Sequence, residues 1–456
     1  MRKNCSKDVS REHRIEILFV FGVFLFYFLW SCTQRYNFSA DESMRYQIAQ
    51  FIYEHGSLPR GDDPLIRNED WGTSYAFNPI LSYMASAVLM KGMSLFTTNE
   101  WMLLLSARFV NVLLGALMAW VVLKAAKLLF PRRYAWMFTA LVVFLPGNVI
   151  LYSYVNCDAL AMCSTAIIFY SWVKAYKEGW NWTTCAVSAI GMGLCFLSYY
   201  NAYGFLVSSF LLFTAYFVKR KEKWTFDWKN FLKKGCPVAL AVILLSGWSF
   251  VRNYMLYDGD FIGLRTKEAF IQSYGIARDT FRSSGYSLAY MLTHTSFVPK
   301  VIISFLGNYG SGTIYMYKIM YAGYLLLFGA AFVGLFIPGE KSKKTFDAER
   351  KAGTEGFHTA FFHINMIFCI LMPLLLLLKY AYTVDYQAQG RYLMPAVIPI
   401  MYYLCYGFQK LPLYRKAGER RKNILFMGIM MFVVLALLLM IFCNAMPVYR
   451  MTGVLG

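Results

Sequence analysis

Apolar residues in this chain come in long runs broken by short polar stretches, without the strict alternation that marks a half-buried strand. Near residues 15–32, 102–130, 134–151, 158–175, 182–199, 203–219, 236–256, 314–337, 358–380, 391–409 and 424–446 the runs approach the length a helix needs to span a bilayer, roughly 20 residues for about 30 Å of hydrocarbon. Membrane barrels alternate apolar and polar positions, so the expected fold class is all-α, a polytopic transmembrane helical bundle. One further run, 79–96, follows Asn78-Pro79, contains Lys91 and is short for a crossing. If it does not cross, the basic clusters fall on one side: Arg2/Lys3/Lys7/Arg11/Arg14, Arg132/Arg133, Lys174/Lys177, Lys219/Arg220/Lys221/Lys223, Lys341/Lys343/Lys344 and Arg415/Lys416/Arg420/Arg421/Lys422. If it crosses, the Arg132, Lys219, Lys341 and Arg415 clusters come to lie outside, against the positive-inside bias. The expectation is therefore about eleven spans, with the N-terminus cytoplasmic, the C-terminus outside and 79–96 lying along the outer surface.

This topology leaves two long outer segments. The first, 33–101, holds Asp41-Glu42, a helical-looking stretch from Met44 to His55, a turn-rich region and the surface-lying helix. The second, 257–313, is rich in Gly, Ser and Tyr and includes Leu288–Phe305, a second candidate surface helix. The inner loops are short and basic, and the whole chain, 1–456, reads as one transmembrane unit. No internal repeat is visible, which argues against an inverted-repeat transporter.

Composition agrees: 58% of residues are hydrophobic and only 15% charged, against the quarter or so of a typical soluble protein. The net charge of +20 lies in loop clusters that set orientation, so it does not point to nucleic acid. Ten cysteines are scattered without a C-x-x-C or Cys/His cluster, which indicates neither a zinc site nor a disulfide framework. Cys32 and Cys157 are the one pair near the outer face. The first apolar run lacks a small-residue cleavage site and reads as an uncleaved helix.

Ionisable residues at the rim of a span are costly unless solvated or paired, so they carry the information about chemistry. Asp41 and Glu42 stand first. On a helix, adjacent side chains point about 100° apart, so one of them faces a given cavity squarely, which fits one base plus one supporting carboxylate better than a glycosidase pair. The plain alternative is a helix start, with Ser39 as N-cap and two acids in the first turn. Asp158 opens another span at the same face after Asn156-Cys157. Arg108, Arg252 and Arg391 map to the outer ends of three spans, where a guanidinium can grip a phosphate in a bidentate fork or snorkel to headgroups. Asp258-Gly259-Asp260 has the spacing of a metal-binding D-x-D and equally that of a turn. No Walker loop, G-x-S-x-G or H-E-x-x-H is present.

A first span followed by Asp41-Glu42, then Asn78-Pro79-Ile80-Leu81-Ser82-Tyr83, then the segment from Ser106 through Arg108 to Gly115, resembles the GT-C class of integral membrane glycosyltransferases, which includes protein O-mannosyltransferases and the aminoarabinose transferase of lipid A. Members commonly show His-Pro-Pro-Leu where Asn78-Pro79-Ile80-Leu81 stands here. The segments 155–160, 251–257, 304–310 and 389–395 resemble, in order, those of a bacterial subgroup. Its members usually carry a proline or histidine soon after the acidic pair, where this chain has Ser43-Met44-Arg45.

The resemblance implies inverting transfer of a sugar from a polyprenyl-phosphate donor to a glycan, lipid or protein acceptor on the outer face, in the cell membrane. It implies Asp41 as base with Glu42 and Asp158 as further catalytic carboxylates, and Arg108, Arg252 and Arg391 on the donor phosphate. Tyr46, Asn156, Asn253, Gln389 and Tyr392 are the substrate-binding candidates. The resemblance names no certain cofactor, and the Asp258-Gly259-Asp260 segment leaves a divalent cation open. The competing functional readings are a transporter or flippase of lipid-linked glycans, which needs no base, and a catalytically silent relative that binds glycan or lipid as a scaffold.

Overall fold

A computed structural model describes residues 2–338 and 355–451 except residues 70, 221–222 and 276–278, so Lys221 and the Lys341/Lys343/Lys344 cluster lie outside the described residues. Helix α1 (Arg2–Thr33) leads through a short loop to α2 (Glu42–His55), and two single 3-10 turns precede α3 (Leu81–Met93). Then come α4 (Glu100–Leu129), α5 (Arg132–Val143) and α6 (Pro146–Val149), the last running into a 3-10 turn, followed by α7 (Asp158–Glu178), α8 (Trp182–Phe196), α9 (Gly204–Tyr216) and α10 (Trp228–Leu256). The segment 257–313 forms α11 (Leu264–Ser273), α12 (Leu288–His294) and α13 (Phe297–Gly307). The chain closes with α14 (Lys318–Phe336), α15 (Glu355–Thr383), α16 (Val397–Lys410), α17 (Pro412–Arg415), α18 (Glu419–Leu438) and, after a π-helical turn, α19 (Met446–Met451). Two small antiparallel hairpins interrupt the helices: β1 (Val218–Arg220) with β2 (Trp224–Phe226), and β3 (Asn308–Tyr309) with β4 (Ile314–Tyr315).

Among the described residues, seven helical stretches are long and apolar enough to cross a membrane, and an eighth if the bent pair 132–143 and 146–152 is one span. That pair turns by 57° at Leu145-Pro146, where the proline removes a backbone donor and starts a new helix. The other three expected spans form α8, α9 and α16, of 15, 13 and 14 residues. At 1.5 Å per residue these are about 20–23 Å long, less than a full crossing. The 79–96 run forms α3, with only 13 residues, and packs between α2 and α4.

Ion pairs mark both ends of the α1/α4 pair. At one end Lys124 and Lys127 hold Glu16, and Arg132 reaches Glu12. At the other, Arg108 closes onto the start of α2. Between them Tyr27 stacks on Tyr152 and donates a hydrogen bond to the Val143 carbonyl, inside a continuous apolar core that runs from α1 to α18. Helices α14 and α16 cross at glycines: a Cβ on Gly407 would sit 2.0 Å from the Ala331 carbonyl oxygen, and one on Gly334 2.1 Å from that of Gly407. The expected surface helix over Leu288–Phe305 is two helices instead, because the Thr295 hydroxyl accepts a hydrogen bond from the Phe297 amide and caps a new start.

Candidate active site

The loop between α1 and α2 is bent by two residues in the left-handed region, Asn37 (φ 59°) and Asp41 (φ 62°). Asn and Asp tolerate this conformation better than other side-chain-bearing residues. Helix α2 begins one residue later, so Asp41 occupies the N-cap position, but its carboxylate makes no capping bond. Ser39 does not cap either; its hydroxyl is buried without a partner. Helix capping therefore does not account for Asp41, and the backbone turn sends the two adjacent carboxylates to different places.

Glu42 goes inward. Both Glu42 and Arg108 are fully buried and form a two-pronged ion pair, Nε to Oε1 and Nη2 to Oε2, each 2.8 Å. Glu42 also accepts the amides of Asn37 and Val155, both at 3.1 Å. Arg108 spends its remaining donors on the carbonyls of Ser31, Gln34 and Arg35. The pair joins α1, α2, α4 and the approach to α7, and Arg108 has no donor left for a ligand.

Asp41 goes outward, with its side chain 27% exposed. Its Oδ2 accepts from Arg391 Nη2 at 2.7 Å and from the Tyr75 hydroxyl at 2.9 Å. Burial pushes the Asp41 carboxyl up, but the charges of Arg391 and Arg45 and the hydrogen bonds from Arg391 and Tyr75 outweigh it and hold the group down at about 2. One helical turn along α2, Arg45 is buried and donates from Nη1 to Asp158 Oδ2 at 2.8 Å, with its guanidinium over the Tyr75 ring. Two ion pairs, Arg391 with Asp41 and Arg45 with Asp158, are thus linked through Tyr75.

A cavity of about 260 Å³ opens beside it, lined by Ser39, Tyr154, Lys300, Ser304, Gln389 and Arg391 and by the glycine-rich turn of the β3/β4 hairpin. Tyr392, next to Arg391, donates to Gln387 at 2.6 Å and stacks on Tyr199, while Asn201 donates to its carbonyl. Gly390 lets this segment pass: a Cβ there would lie 2.1 Å from the Phe305 amide nitrogen.

The structure brings Asp41, Asp158, Gln389, Arg391 and Tyr392 into or next to this region. It engages the other candidates elsewhere. Arg252 donates to the carbonyls of Pro59 and Leu58, and Asn253 to that of Phe261. Asn156 caps the start of α7 through the Ala159 amide, and Tyr46 packs edge-on against Tyr36. Asp260 accepts from the amides of Ile262, Gly263 and Thr266, which makes the D-x-D segment the turn that starts α11. Asp41 and Asp158 are each neutralised by an arginine, and among the described residues no group of three or more His, Cys, Asp or Glu is placed to hold a metal ion; this donor set does not fit a resident divalent cation. Cys32 and Cys157 are free thiols. Arg45, Tyr75 and Lys300 escaped the sequence reading. The signal for both cations was the same one that singled out the arginines, a basic residue in an outer segment against the orientation bias.

Comparison with known proteins bears on the fold. Residues 79–249 match the family model described as dolichyl-phosphate-mannose-protein mannosyltransferase. The crystal structure of the Archaeoglobus fulgidus oligosaccharyltransferase tethered with an acceptor peptide superimposes with a TM-score of 0.53 at 15% identity, over 92% of this chain and 54% of that one. The fold is of the GT-C class. The chain spans about half the length of that solved relative. Less close are a mycobacterial arabinofuranosyltransferase, AftD (TM-score 0.46, 12% identity, 92% of this chain and 28% of that one), and ArnT from Cupriavidus metallidurans (0.40, 15%, 85% and 77%). No curated protein sequence matches the chain.

Proposed function

We propose that this GT-C protein is a membrane glycosyltransferase that moves a sugar from a polyprenyl-phosphate donor to an acceptor hydroxyl at the outer face, with inversion. The observation that carries the reading is the divergence of the acidic pair. Glu42 is sealed into an internal ion pair, whereas Asp41 keeps a partly exposed side chain held by Arg391, which itself lines the neighbouring cavity.

In the proposed step the acceptor oxygen attacks the anomeric carbon from the face opposite the phosphate. Its proton passes to an Asp41 carboxylate oxygen while the bond from carbon to phosphate oxygen breaks, and the electron pair leaves with the lipid phosphate. Arg391 faces the charge that develops on the phosphate. Because the same guanidinium holds Asp41 at rest, its turning toward the phosphate raises the basicity of Asp41 as transfer begins. Asp158, fixed by Arg45, orients the sugar, and Tyr392 and Gln389 line its approach.

The test is Asp41→Asn. Sugar transfer by the purified protein in nanodiscs should fall by a factor of about 10² to 10⁴, the usual contribution of a general base, with donor binding and thermal stability largely kept. Undiminished transfer removes the assignment and favours a transporter, which needs no base.

A further inference from the structure

Helices α9 and α10 each have one end on the side of the candidate site. Asn201, just before α9, donates to the Tyr392 carbonyl, and Arg252, near the end of α10, donates to that of Pro59. The β1/β2 hairpin joins their other ends, so it lies at the opposite side of the bundle. From Val218 to Lys234 the sequence holds seven lysines and arginines against two acids, which makes this the place to look for an anionic partner. Two of the lysines are engaged, Lys219 with Asp227 and Lys234 with the Trp180 carbonyl. Lys223, Lys229 and Lys233 are exposed and, among the described residues, hold no carboxylate. The indoles of Trp224 and Trp228 and, one turn further on, Leu232 are exposed beside them.

The hairpin that carries this face is rooted in the bundle. The Asp227 amide donates to the Phe217 carbonyl next to the ladder, and the Asp227 carboxylate caps the start of α10. Phe226 packs 4.5 Å from Trp228 and 5.2 Å from Phe231, which in turn meets Phe213 and Phe217. Length sets the depth. Residues 235–251 of α10 carry no charge and, at 1.5 Å per residue, run for about 25 Å, close to the thickness of the hydrocarbon layer. The lysines before them therefore fall at the level of the headgroups, where indoles also concentrate. A soluble acidic partner would match the lysines alone, whereas a headgroup region takes lysines and indoles together.

We infer that this face binds anionic phospholipid headgroups of the adjacent leaflet, with Lys223, Lys229 and Lys233 on their phosphates and Trp224 and Trp228 at the boundary with the acyl chains. Nothing in this depends on sugar transfer. Each lysine close to an anionic membrane surface strengthens binding about fivefold, so three of them make a preference large enough to measure.

The experiment uses the full chain in phosphatidylcholine nanodiscs that contain a minor fraction of either brominated phosphatidylglycerol or brominated phosphatidylcholine. Tryptophan fluorescence reports which lipid lies against the indoles. The phosphatidylglycerol should quench more, and the excess should vanish in Trp224→Phe/Trp228→Phe. With both tryptophans kept, Lys223→Gln/Lys229→Gln/Lys233→Gln should weaken the apparent affinity for phosphatidylglycerol at least tenfold, as read from the excess while its fraction is raised. The charge-keeping variant Lys223→Arg/Lys229→Arg/Lys233→Arg should retain it, which separates loss of charge from loss of fold. Equal quenching of the parent by the two lipids overturns the inference, as does an excess that survives in the glutamine variant. Binding of polyglutamate through the three lysines, without any lipid preference, also overturns it and gives the face to an acidic protein.

Discussion

At the scale of the residue, the candidate site is organised by pairing. Three acids meet three arginines, Glu42 with Arg108, Asp158 with Arg45 and Asp41 with Arg391, and only the last pair retains appreciable exposure. A buried pair adds little net stability, but breaking it leaves a stranded charge. Arg108→Ala should therefore lower stability by about 3–5 kcal/mol, read as a large fall in melting temperature in detergent, while Glu42→Gln with Arg108→Met should lose clearly less. Equal losses in both would show that the pair itself adds net stability and that a stranded charge is not the cause of the loss. The sequence made these residues visible one at a time, because charges at the ends of apolar runs stand out. It could not show which charges neutralise each other, since Glu42 and Arg108 are 66 positions apart and Arg45 and Asp158 are 113 apart. That is why Arg108 read as a phosphate-binding candidate and Arg45 as a departure from a motif.

At the scale of the element, close approach of backbones decides where the site walls stand. The segment that opens α16 crosses α13 at Gly390, and α6 passes the same helix at Gly147, where a Cβ would lie 2.2 Å from the Phe305 carbonyl oxygen. On the other side of α16, Gly407 and Gly334 bring it against α14. Small residues at such crossings are a common device of membrane helices, where packing replaces the hydrophobic effect. Gly407→Ala should push α16 from α14, since the obstruction is backbone and cannot rotate away. We expect lower thermal stability and reduced transfer together, whereas Gly428→Ala, with nothing within 4 Å of its Cβ, should change neither. Helical periods and prolines made most elements legible. The short helices were harder to read, because an apolar run of 17 to 19 residues looks the same whether its helix crosses, dips or stops at 13 to 15 residues.

At the scale of the whole molecule, charge and length speak to different questions. The positive-inside argument favours leaving α3 out of the membrane crossings, and its 13-residue length agrees, yet length alone sets the same limit on α8, α9 and α16. Orientation is directly measurable. Thr98→Cys, in the exposed turn between α3 and α4, should react with a membrane-impermeant maleimide from outside, above the background of the exposed Cys236 and Cys443. Labelling from the inside only would invert the scheme and put the Asp41 cavity at the cytoplasmic face. The fold class was legible because bilayer thickness imposes itself on sequence as run length. The cavity was not, since its walls come from residues 39, 154, 300, 311 and 391, which only the completed bundle brings together.

The backbone at Asp41 has one more implication. A side-chain-bearing residue in the left-handed region costs about 1–2 kcal/mol relative to a glycine, which adopts it freely. Removal of the carboxylate should therefore have two different outcomes depending on what replaces it: Asp41→Gly should melt higher than Asp41→Ala, with both inactive in transfer. Folding alone would be better served by the smallest residue at this position. The chain instead carries there the one carboxylate of its acidic pair that keeps exposure, so on the proposed reading this turn is a place where the interests of the fold and of the chemistry part company.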